Sequence, residues 1–429
     1  MDIILVILFV VLEAGFIILQ IQKHNYFRKN KLIVTVAEFL FIMFLGLIRE
    51  YHFRVWLLLI FLLLRSFVLG LLILRSSERI EFRKSKSILV GAMQICFIGI
   101  GLIPIFLFPI YQVKSPSGPL KIDTISFTWE DKNRLESFAN DGSNRKVTVQ
   151  FWYPSTRNQE SYPLVIFSHG AFGYRMSNHS TYEELVSNGY VVCSIDHTYH
   201  AFFTKQTDGK VITVNKDFMK DVYKINGEGI TEDEIFSITR EWMKLRSEDM
   251  NFVLDTIIDK TKRMDQEQVF SEIDISKIGV MGHSLGGATA VSIGRERKDI
   301  KAVIDLDGTM LSEELSFKDN VYTINEEPYP VPLLCINTTK HYKEGLSYGD
   351  LYVNNVVLKN AKDAREVHFD EAGHLNFTDL PLYSPFLASL LETGSIDPMS
   401  CIQTMNEVIL NYYDHYLKQT KELNMKESY

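Results

Sequence analysis

One nine-residue stretch, residues 279–287, restricts the possible folds of this chain more than any other feature. It reads Gly-Val-Met-Gly-His-Ser-Leu-Gly-Gly and stands between an apolar strand pattern and a helix-compatible run. A sharp strand-to-helix turn strains the backbone of Ser284 and requires small neighbours, which Gly282 and Gly286 provide. The stretch therefore predicts a serine hydroxyl at the end of a strand, beside a helix N-terminus that favours developing negative charge.

The residues around this turn alternate between strand and helix patterns. Strands are expected near 124–129, 146–154, 163–168, 190–195, 278–281, 302–306, 332–336 and 366–369. Helices are expected at 181–187 and 246–262. Together with the serine turn, this alternation predicts an α/β-hydrolase fold, a mostly parallel sheet with helices on both faces. Residues 201–245 fit the pattern poorly and are interpreted either as a lid or as an ordinary helical insertion.

A serine hydroxyl needs a base to take its proton, and histidine is the usual one because it titrates near neutral pH. In this fold the base comes last in the chain, after the nucleophile and the acid. His374, in a Gly-His-Leu-Asn-Phe segment behind the last expected strand, is the predicted base, and His341 is a weaker rival. Chain order disfavours the earlier histidines, which are His169, His179, His197, His200 and His283.

The histidine in turn needs a carboxylate that orients it. Asp307 is the predicted acid because it stands where the 302–306 strand should end, directly before Gly308. Asp305 lies inside that strand and is expected to serve structure, and Glu344 is the fallback acid. For the oxyanion, two backbone N–H donors are expected, Leu285 after the nucleophile and Ala171 in the His-Gly-Ala-Phe-Gly loop that follows residue 168.

The N-terminal quarter of the chain has a different character. Long hydrophobic runs occur at about 3–21, 32–48, 55–74 and 88–110. Each approaches the roughly 20 residues that a helix needs to cross a bilayer, whereas a cleaved signal peptide contains only one such run. The sequence predicts residues 1–112 as a four-helix transmembrane region, residues 113–121 as a Pro- and Ser-containing linker, and residues 122–429 as the hydrolase domain.

Charge follows the same division. Residues 1–112 contain 12 Lys and Arg against 6 Asp and Glu, and the whole chain has a net charge of −8, so residues 113–429 carry −14. An acidic globular part argues against nucleic acid as a partner. Four cysteines, in no zinc-binding or redox spacing, are expected to be reduced, and neither a metal nor a cofactor is expected.

Basic residues between the hydrophobic runs predict the orientation in the cell membrane. They are Lys23, Arg28, Lys29 and Lys31 in the first loop, Arg49 and Arg54 in the second, and Arg75, Arg79, Arg83, Lys84 and Lys86 in the third. An excess of Lys and Arg marks cytoplasmic loops, which here are the first and third. A multi-pass protein with its hydrolase domain on the extracytoplasmic side follows.

Three ionisable residues, Glu13, Glu38 and Arg65, interrupt the hydrophobic runs. Each is about ten residues from the extracytoplasmic end of its run, so all three are expected at one depth near the middle of the bilayer. Isolated charges are costly there. We therefore expect Arg65 to pair with one or both glutamates, either as a structural clamp or as part of a relay or a lipid-headgroup site.

Several of these motifs together resemble the plasma-type platelet-activating factor acetylhydrolases and their bacterial relatives. The similar segments are Phe151–Pro154, Phe167–Gly170, Gly282–Thr289, Leu306–Asp307 and His374–Asp379. The resemblance spans roughly residues 120–415 and implies a calcium-independent serine esterase acting on short or oxidised acyl chains of phospholipids. The chain departs from the family pattern at Asp196–Tyr199 and at Gly308–Thr309, which affects the expected acyl and headgroup specificity.

The sequence thus predicts a membrane-anchored esterase whose substrate is an amphiphilic ester or phospholipid, with an undetermined oligomeric state. A cutinase-like or general carboxylesterase is the alternative enzyme. A catalytically inactive hydrolase fold that acts as a membrane scaffold is an alternative of another class. A transporter that uses the three intramembrane charges is the weakest alternative, because only four membrane helices are expected.

Overall fold

The computed structural model describes residues 2–48, 52–75, 82–109, 114–139, 141–155, 161–227, 229–391 and 393–429. It divides into two compact units, residues 1–112 with 383–387 and residues 113–382 with 388–429. Arg49, Arg79 and the expected end of the fourth hydrophobic run at residue 110 lie outside the described residues.

The first unit is helical. Its helices are α1 (Asp2–Lys23), α2 (Arg28–Ile48), α3 (Trp56–Leu74) and α4 (Lys84–Leu107), with a 3₁₀ turn at His52–Val55 before α3. Three stretches are long and apolar enough to cross a membrane, Arg28–Leu47, Phe53–Leu74 and Lys84–Leu107. The expected span at 3–21 lies within α1 and stays a prediction. Lys84 and Lys86, expected in the third loop, belong to the first turn of α4.

A buried polar cluster joins α1, α2 and α3. Arg65 forms an ion pair with Glu13, and its Nη1 lies 3.9 Å from Oε2 of Glu38. The expected pairing of Arg65 with both glutamates is confirmed. Nζ of Lys31 lies 3.0 Å from Oε2 of Glu13. The assignment of Arg28, Lys29 and Lys31 to the first loop was wrong, because α2 already begins at Arg28. The ammonium group of Lys31 lies inside the helical unit, paired with Glu13.

The rest of the chain combines strands and helices. Its strands are β1 (Ile122–Leu135), β2 (Asn144–Pro154), β3 (Tyr162–Ser168), β4 (Val191–Asp196), β5 (Phe203–Lys205), β6 (Val211–Thr213), β7 (Ile273–His283), β8 (Ile300–Leu306), β9 (Glu314–Lys318), β10 (Val321–Ile324), β11 (Leu333–Thr338) and β12 (Ala364–Phe369). Its helices are α5 (His179–Ser187), α6 (Lys216–Ile225), α7 (Glu232–Lys262), α8 (Gln268–Ser271), α9 (Leu285–Glu296), α10 (Thr339–Tyr348), α11 (Val353–Asn360), α12 (Leu380–Tyr383), α13 (Pro385–Ser389) and α14 (Pro398–Tyr413).

Eight strands form the main sheet in the order β1-β2-β4-β3-β7-β8-β11-β12. The pairs β1–β2 and β2–β4 are antiparallel, and the remaining five pairs are parallel. These eight strands are the eight that the sequence predicts. The inner ones are continuous runs of buried apolar residues, as strands covered by helices on both faces should be.

The register of the parallel strands brings their carboxyl ends to one edge. Ser168 is opposite Gly282, His283 is opposite Leu306, and Thr338 is opposite Phe369. Connections that follow β3, β7, β8, β11 and β12 therefore emerge side by side. In open α/β sheets this edge is where binding and catalytic residues gather.

The segment 201–245 is not one insertion. It contains the β5–β6 hairpin, helix α6 and the first half of α7, which begins at Glu232 and not at the expected residue 246. The early start is explained by a capping box, in which Thr231 and Glu234 satisfy each other's backbone N–H groups. Residues 232–245 therefore belong to a helix whose second half packs in the core.

Candidate active site

Ser284 occupies the sharp turn between β7 and α9. Its backbone has φ 56° and ψ −124°, a conformation that L-residues rarely adopt. A Cβ on Gly282 would lie 2.2 Å from the carbonyl carbon of Gly286, and a Cβ on Gly286 would lie 1.9 Å from the carbonyl oxygen of Ser168. The requirement for glycine on both sides of the serine is thus a steric one, and the structure has the strained turn that the sequence predicts.

Asp307 and His374 meet beside this turn. Asp307 follows β8 directly, and His374 lies in a 3₁₀ turn after β12. The imidazole Nδ1 of His374 lies 2.7 Å from Oδ2 of Asp307. A carboxylate only accepts, so Nδ1 carries the proton and Nε2 is the free acceptor of the neutral ring. Three strand ends far apart in sequence thus bring together the three residues that the sequence nominates.

A second imidazole shares the same carboxylate. Nδ1 of His341 lies 2.9 Å from Oδ1 of Asp307, and Nε2 of His341 contacts the hydroxyl of Tyr352. Thr338 donates its backbone N–H to the same Oδ1 at 2.8 Å. Burial alone would raise the pKa of Asp307, but the hydrogen bonds from His341 and His374 hold it well below its usual range. His341 is therefore a partner of the acid, a role that sequence reasoning missed.

His283 fixes the loop that carries the base. Its Nε2 lies 2.9 Å from the carbonyl oxygen of His374, and the two rings have centroids 4.4 Å apart. Burial and the neighbouring imidazole lower the pKa of His283 to about 3, so its ring is neutral and Nε2–H donates to that carbonyl. Among the described residues, the hydroxyl of Ser284 forms no hydrogen bond with His374. Such bonds often tighten only when substrate binds.

The remainder of the His374–Asp379 segment holds the turn in place. The side chain of Asn376 accepts from the backbone N–H of Gly373 at 2.9 Å and from that of Gly394 at 2.7 Å. Asp379 accepts from the backbone N–H of Ser180 at 2.8 Å, on the first turn of α5. These contacts explain why an asparagine and an aspartate accompany the histidine at this spacing.

The loop after β3 lies against the nucleophile. A Cβ on Gly170 would be only 3.2 Å from Cβ of Ser284. Next to it, Ala171 and Phe172 pack in an apolar cluster with Leu285 and Phe218. The two expected oxyanion donors, Ala171 and Leu285, are therefore part of the same small cluster beside Ser284.

Helix α6 and the start of α7 cover this loop. Phe218 of α6 lies with its ring centroid 5.7 Å from that of Phe172, and stacks on His200 at 3.9 Å. Trp242 of α7 completes the aromatic group, 5.0 Å from Phe218. Part of the segment that the sequence left open as a lid or an insertion thus packs on the predicted oxyanion loop.

A second serine–histidine–aspartate chain lies behind the loop. Oγ of Ser168 is 2.9 Å from Nε2 of His197, whose Nδ1 is 3.1 Å from Oδ2 of Asp249. All three residues are fully buried. Burial lowers the pKa of His197 to about 4, so the ring stays neutral. No substrate can reach these buried residues, so this serine–histidine–aspartate group is structural. Its three members are nevertheless connected by hydrogen bonds, whereas Ser284 forms none with His374 in the described residues.

Asp305 stabilises the turn after β8. It is fully buried, and its Oδ1 accepts the backbone N–H of Gly308 at 3.0 Å. This agrees with the structural role expected from its position inside the strand. Among the described residues, no group of three or more His, Cys, Asp or Glu side chains is arranged to hold a metal ion. Cys96, Cys193, Cys335 and Cys401 are free thiols.

Comparison with known proteins identifies a matching family and related structures. A model of the family "Platelet-activating factor acetylhydrolase, isoform II" matches residues 142–428. The platelet-activating factor acetylhydrolases of Bos taurus and Canis lupus familiaris are each 24% identical to the chain, over 309 and 302 residues. Each match covers 66% of this chain and 63% of the relative, so the chain spans somewhat less than two thirds of these relatives.

Among solved structures, a ferulic acid esterase from Streptomyces cinnamoneus has the same fold. The two superpose with a TM-score of 0.54 and 21% sequence identity, over 73% of this chain and 96% of the esterase. At this identity the likeness concerns the fold alone.

The sheet order and the strained serine turn between β7 and α9 together define an α/β-hydrolase fold. The family match covers more than half of the sequence. The chain belongs to the platelet-activating factor acetylhydrolase, isoform II family, as its motifs predict.

Proposed function

We propose that this protein is a membrane-anchored serine esterase that hydrolyses short or oxidised acyl esters of phospholipids. The observation that carries the proposal is the hydrogen bond of 2.7 Å between His374 Nδ1 and Asp307 Oδ2, beside a serine in a strained turn. This pair fixes the tautomer that a general base requires, and the turn exposes the hydroxyl that it would deprotonate. The family match supports the ester as substrate.

The mechanism follows from the roles that each group can take. Ser284 Oγ attacks the ester carbonyl while its proton passes to Nε2 of His374. Asp307 holds the imidazolium that results, and the N–H groups of Leu285 and Ala171 bind the oxyanion. The proton then goes to the leaving alcohol, and an acyl-serine remains. Water attacks this ester with His374 again as base, which releases the acid and restores the serine.

The substrate class is argued from the family and from the membrane helices. Relatives at 24% identity are named for the acetylhydrolysis of platelet-activating factor, an amphiphilic phospholipid. Three apolar stretches in the first unit are long enough to span a bilayer, and the chain connects them to the hydrolase unit. We propose a multi-pass anchor in the cell membrane with the hydrolase unit on the extracytoplasmic side, where lipid esters are within its reach.

A general or cutinase-like carboxylesterase is the second candidate. It is favoured by the departure from the family pattern at Gly308–Thr309, directly after the acid. The hydroxyl of Thr309 lies 3.3 Å from that of Tyr352, which also contacts His341. A polar group at this position changes the surroundings of the acid. The other departure has a structural reason, because Asp196 is fully buried and paired with Arg175.

Labelling with a fluorophosphonate tests the nucleophile. Ser284 Oγ displaces fluoride from phosphorus in an active enzyme, so the full-length protein in detergent should label and Ser284→Ala should not. Ser168→Ala is the matched control, because Ser168 belongs to the buried second chain and its loss should leave labelling in place. Labelling that survives Ser284→Ala contradicts the assignment of Ser284 as the nucleophile, and no labelling of the wild-type protein contradicts the proposal and favours the inactive scaffold.

A panel of esters then separates the two enzyme candidates. Phospholipids with sn-2 chains from acetyl to palmitoyl, an oxidised short-chain phospholipid and simple p-nitrophenyl esters are compared by kcat/KM. The phospholipase proposal expects the highest values for acetyl and oxidised chains. Turnover of the p-nitrophenyl esters without turnover of any phospholipid would instead identify the carboxylesterase.

A further inference from the structure

The peptide unit between Gly170 and Ala171 is held from one side by three donors. The carbonyl oxygen of Gly170 accepts from Nδ1 of His169 at 2.6 Å, from the backbone N–H of Gly173 at 3.1 Å and from Nη2 of Arg246 at 3.3 Å. In a trans peptide the C=O and the N–H point in opposite directions. Fixing this carbonyl therefore also fixes the direction of the Ala171 N–H.

The tautomer of His169 is consistent with this arrangement. Its Nδ1 faces a carbonyl, which only accepts, and its Nε2 lies 3.3 Å from the backbone N–H of His197, which only donates. The neutral ring with its proton on Nδ1 satisfies both contacts. Burial, together with the charge of Arg246, lowers the pKa of His169 well below its usual value, in agreement with a neutral ring.

Arg246 is the unusual member of this group. It lies in the middle of α7 and is fully buried. Its Nη1 donates to the carbonyl of His169 and its Nη2 to that of Gly170, while Nε is 3.4 Å from Nδ1 of His200. Within the described part of the chain, no carboxylate forms an ion pair with it. Burying a guanidinium is costly; the charge of Asp249, one turn further along α7, offsets part of this cost, and the two carbonyls supply hydrogen bonds.

The fixed peptide lies beside the reacting serine. Gly170 approaches Ser284 so closely that a Cβ there would be 3.2 Å from Cβ of the serine. If the peptide flipped, it would present the carbonyl of Gly170 in place of the N–H of Ala171. A carbonyl at that position would repel the oxyanion, whereas an N–H stabilises it.

We propose that Arg246 is a positioning residue that keeps the Ala171 N–H directed at the oxyanion, by holding the carbonyls of His169 and Gly170 on the opposite side of the loop. This inference rests on the proposed esterase function. Arg246 does not touch the substrate. It acts through the peptide of the loop, so its loss should weaken the binding of the tetrahedral oxyanion and leave the binding of the planar ester nearly unchanged.

Arg246→Met and Arg246→Lys test the proposal in the full-length protein. Methionine retains a long apolar side chain without donors, and lysine retains the charge with a single point donor. Removal of one oxyanion donor typically lowers kcat by roughly 10²–10³-fold. We expect kcat to fall by about 10²-fold in Arg246→Met and by less in Arg246→Lys, with KM within about twofold of the wild type.

A trifluoromethyl ketone with the acyl part of the best ester provides the decisive readout. Ser284 Oγ adds to its carbonyl carbon, the proton goes to His374, and the carbonyl oxygen becomes the oxyanion. The inhibition constant of the ketone should rise in the two variants in proportion to their loss of kcat/KM. A purely structural role for Arg246 would not produce this proportionality.

Arg295→Met is the matched control. Arg295 also donates to two backbone carbonyls, those of Pro328 at 3.0 Å and Glu327 at 3.2 Å, and it is paired with Glu313. Its loss should lower the apparent Tm and leave kcat and ketone affinity unchanged.

The outcomes separate the two proposals. Wild-type protein without Ser284-dependent turnover contradicts the proposed function itself. An active wild type together with unchanged kcat and ketone affinity in Arg246→Met overturns the inference, as does a fall in kcat that follows the drop in Tm without any loss of ketone affinity. If Arg246→Met does not fold, Arg246→Lys decides. A reduced kcat at wild-type KM and Tm supports the inference, and an unchanged kcat overturns it.

Discussion

Two of the three proposed catalytic residues have a left-handed backbone. Ser284 has φ 56° and Asp307 has φ 55°. Such conformations cost roughly 1–3 kcal/mol for residues with a side chain and cluster at functional sites. Here the surrounding contacts maintain them. The N–H of Ser284 donates to the carbonyl of Leu306 at 2.8 Å, and that of Asp307 donates to the carbonyl of Ile336 at 2.8 Å. Each strained residue is thus tied to the neighbouring strand.

Both imidazoles, those of His374 and His341, form hydrogen bonds with the Asp307 carboxylate. One oxygen accepts from His374, and the other accepts from His341 and Thr338. Burial is the largest single influence and lowers the pKa of His341, but the hydrogen bond and charge of Asp307, together with nearby carboxylates, outweigh it and raise the pKa. A donor on the second oxygen withdraws negative charge from the first, so His341 weakens the hold of Asp307 on the imidazolium of His374.

Replacement of His341 should therefore change the pH dependence of catalysis. In His341→Gln we expect the acid limb of the kcat/KM profile to move to higher pH by about half a unit or more, since the positive charge that His341 can carry beside Asp307 is lost. Activity near pH 6 should therefore fall while activity at pH 8 stays close to the wild type. The measurement is a pH–rate profile from pH 5 to 9.

Tyr352→Phe is the control for that experiment. It removes the hydroxyl that contacts His341 and leaves the imidazole on Asp307 in place. Its acid limb should lie close to that of the wild type. An acid limb in His341→Gln at the wild-type position, or displaced to lower pH, would contradict the role assigned to His341.

At the scale of elements, the helices of the first unit approach closely at two kinds of contact. One is the polar cluster of Glu13, Lys31, Glu38 and Arg65, which links three helices. The other is the approach of α4 to α3 at Gly101, where a Cβ would lie 3.0 Å from Cα of Leu58. Small residues at such points allow helix backbones to approach in an apolar unit, where packing and polar contacts hold helices together.

The polar cluster predicts a compensating pair of substitutions. Arg65→Leu leaves Glu38 without its cationic partner, and breaking a buried pair from one side costs on the order of 3–5 kcal/mol. We expect a clearly lower apparent Tm in detergent and a lower folded yield. The double variant with Glu38→Gln should recover much of the loss, because no uncompensated charge remains at that position. An Arg65→Leu protein as stable as the wild type would exclude the clamp.

Two glycines of α4 should differ in how well they tolerate a larger side chain. Gly101→Leu should disrupt the packing of α3 on α4, because the new side chain meets the backbone of Leu58. A Cβ on Gly99 would meet no described atom within 4 Å, so Gly99→Leu should be tolerated. Size-exclusion profiles and apparent Tm in detergent compare the two variants. Equal behaviour would show that the α3–α4 approach is not needed for stability.

At the scale of the whole molecule, the hydrolase unit is organised around buried ionisable groups at one end of its sheet. Asp305 is fully buried next to Gly287 and Gly308, and burial raises its pKa to about 7. Its folded-state pKa lies above that of an unfolded aspartate, near 3.9. The folded protein therefore binds more protons than the unfolded chain between about pH 4 and pH 7, and stability from this group is lost as the pH rises through that window.

Asp305→Asn should remove this pH dependence. The neutral amide imitates the protonated acid, so the variant should match the wild type near pH 4 and exceed it increasingly up to pH 7, by on the order of 2–4 kcal/mol. Above pH 7 the difference should be constant. Apparent Tm values from pH 4 to 8.5 measure it, with the exposed Asp255→Asn as control. A difference that shrinks with rising pH would refute the assignment.

The sequence determined much of this molecule because the relevant signals are local. All eight strands of the main sheet were readable from apolar runs and alternation, and the serine turn from the clearance that its glycines provide. Chain order and strand ends placed Asp307 and His374, since parallel strands direct their carboxyl ends to one edge. The hydrophobic runs predict the helices of the first unit. The equal depth of Glu13, Glu38 and Arg65 within these runs predicts the pairing of Arg65.

Only the tertiary structure decided the contacts between residues distant in sequence. His341, the weaker candidate base in the sequence, is a second partner of Asp307, because β11 lies next to β8 and brings α10 to the acid. Arg246 had no sequence signal beyond its place in a helix, and its carbonyl partners lie more than seventy residues earlier. A pattern records which residues share a face, whereas the direction of a peptide or the sharing of a carboxylate depends on which elements meet in space.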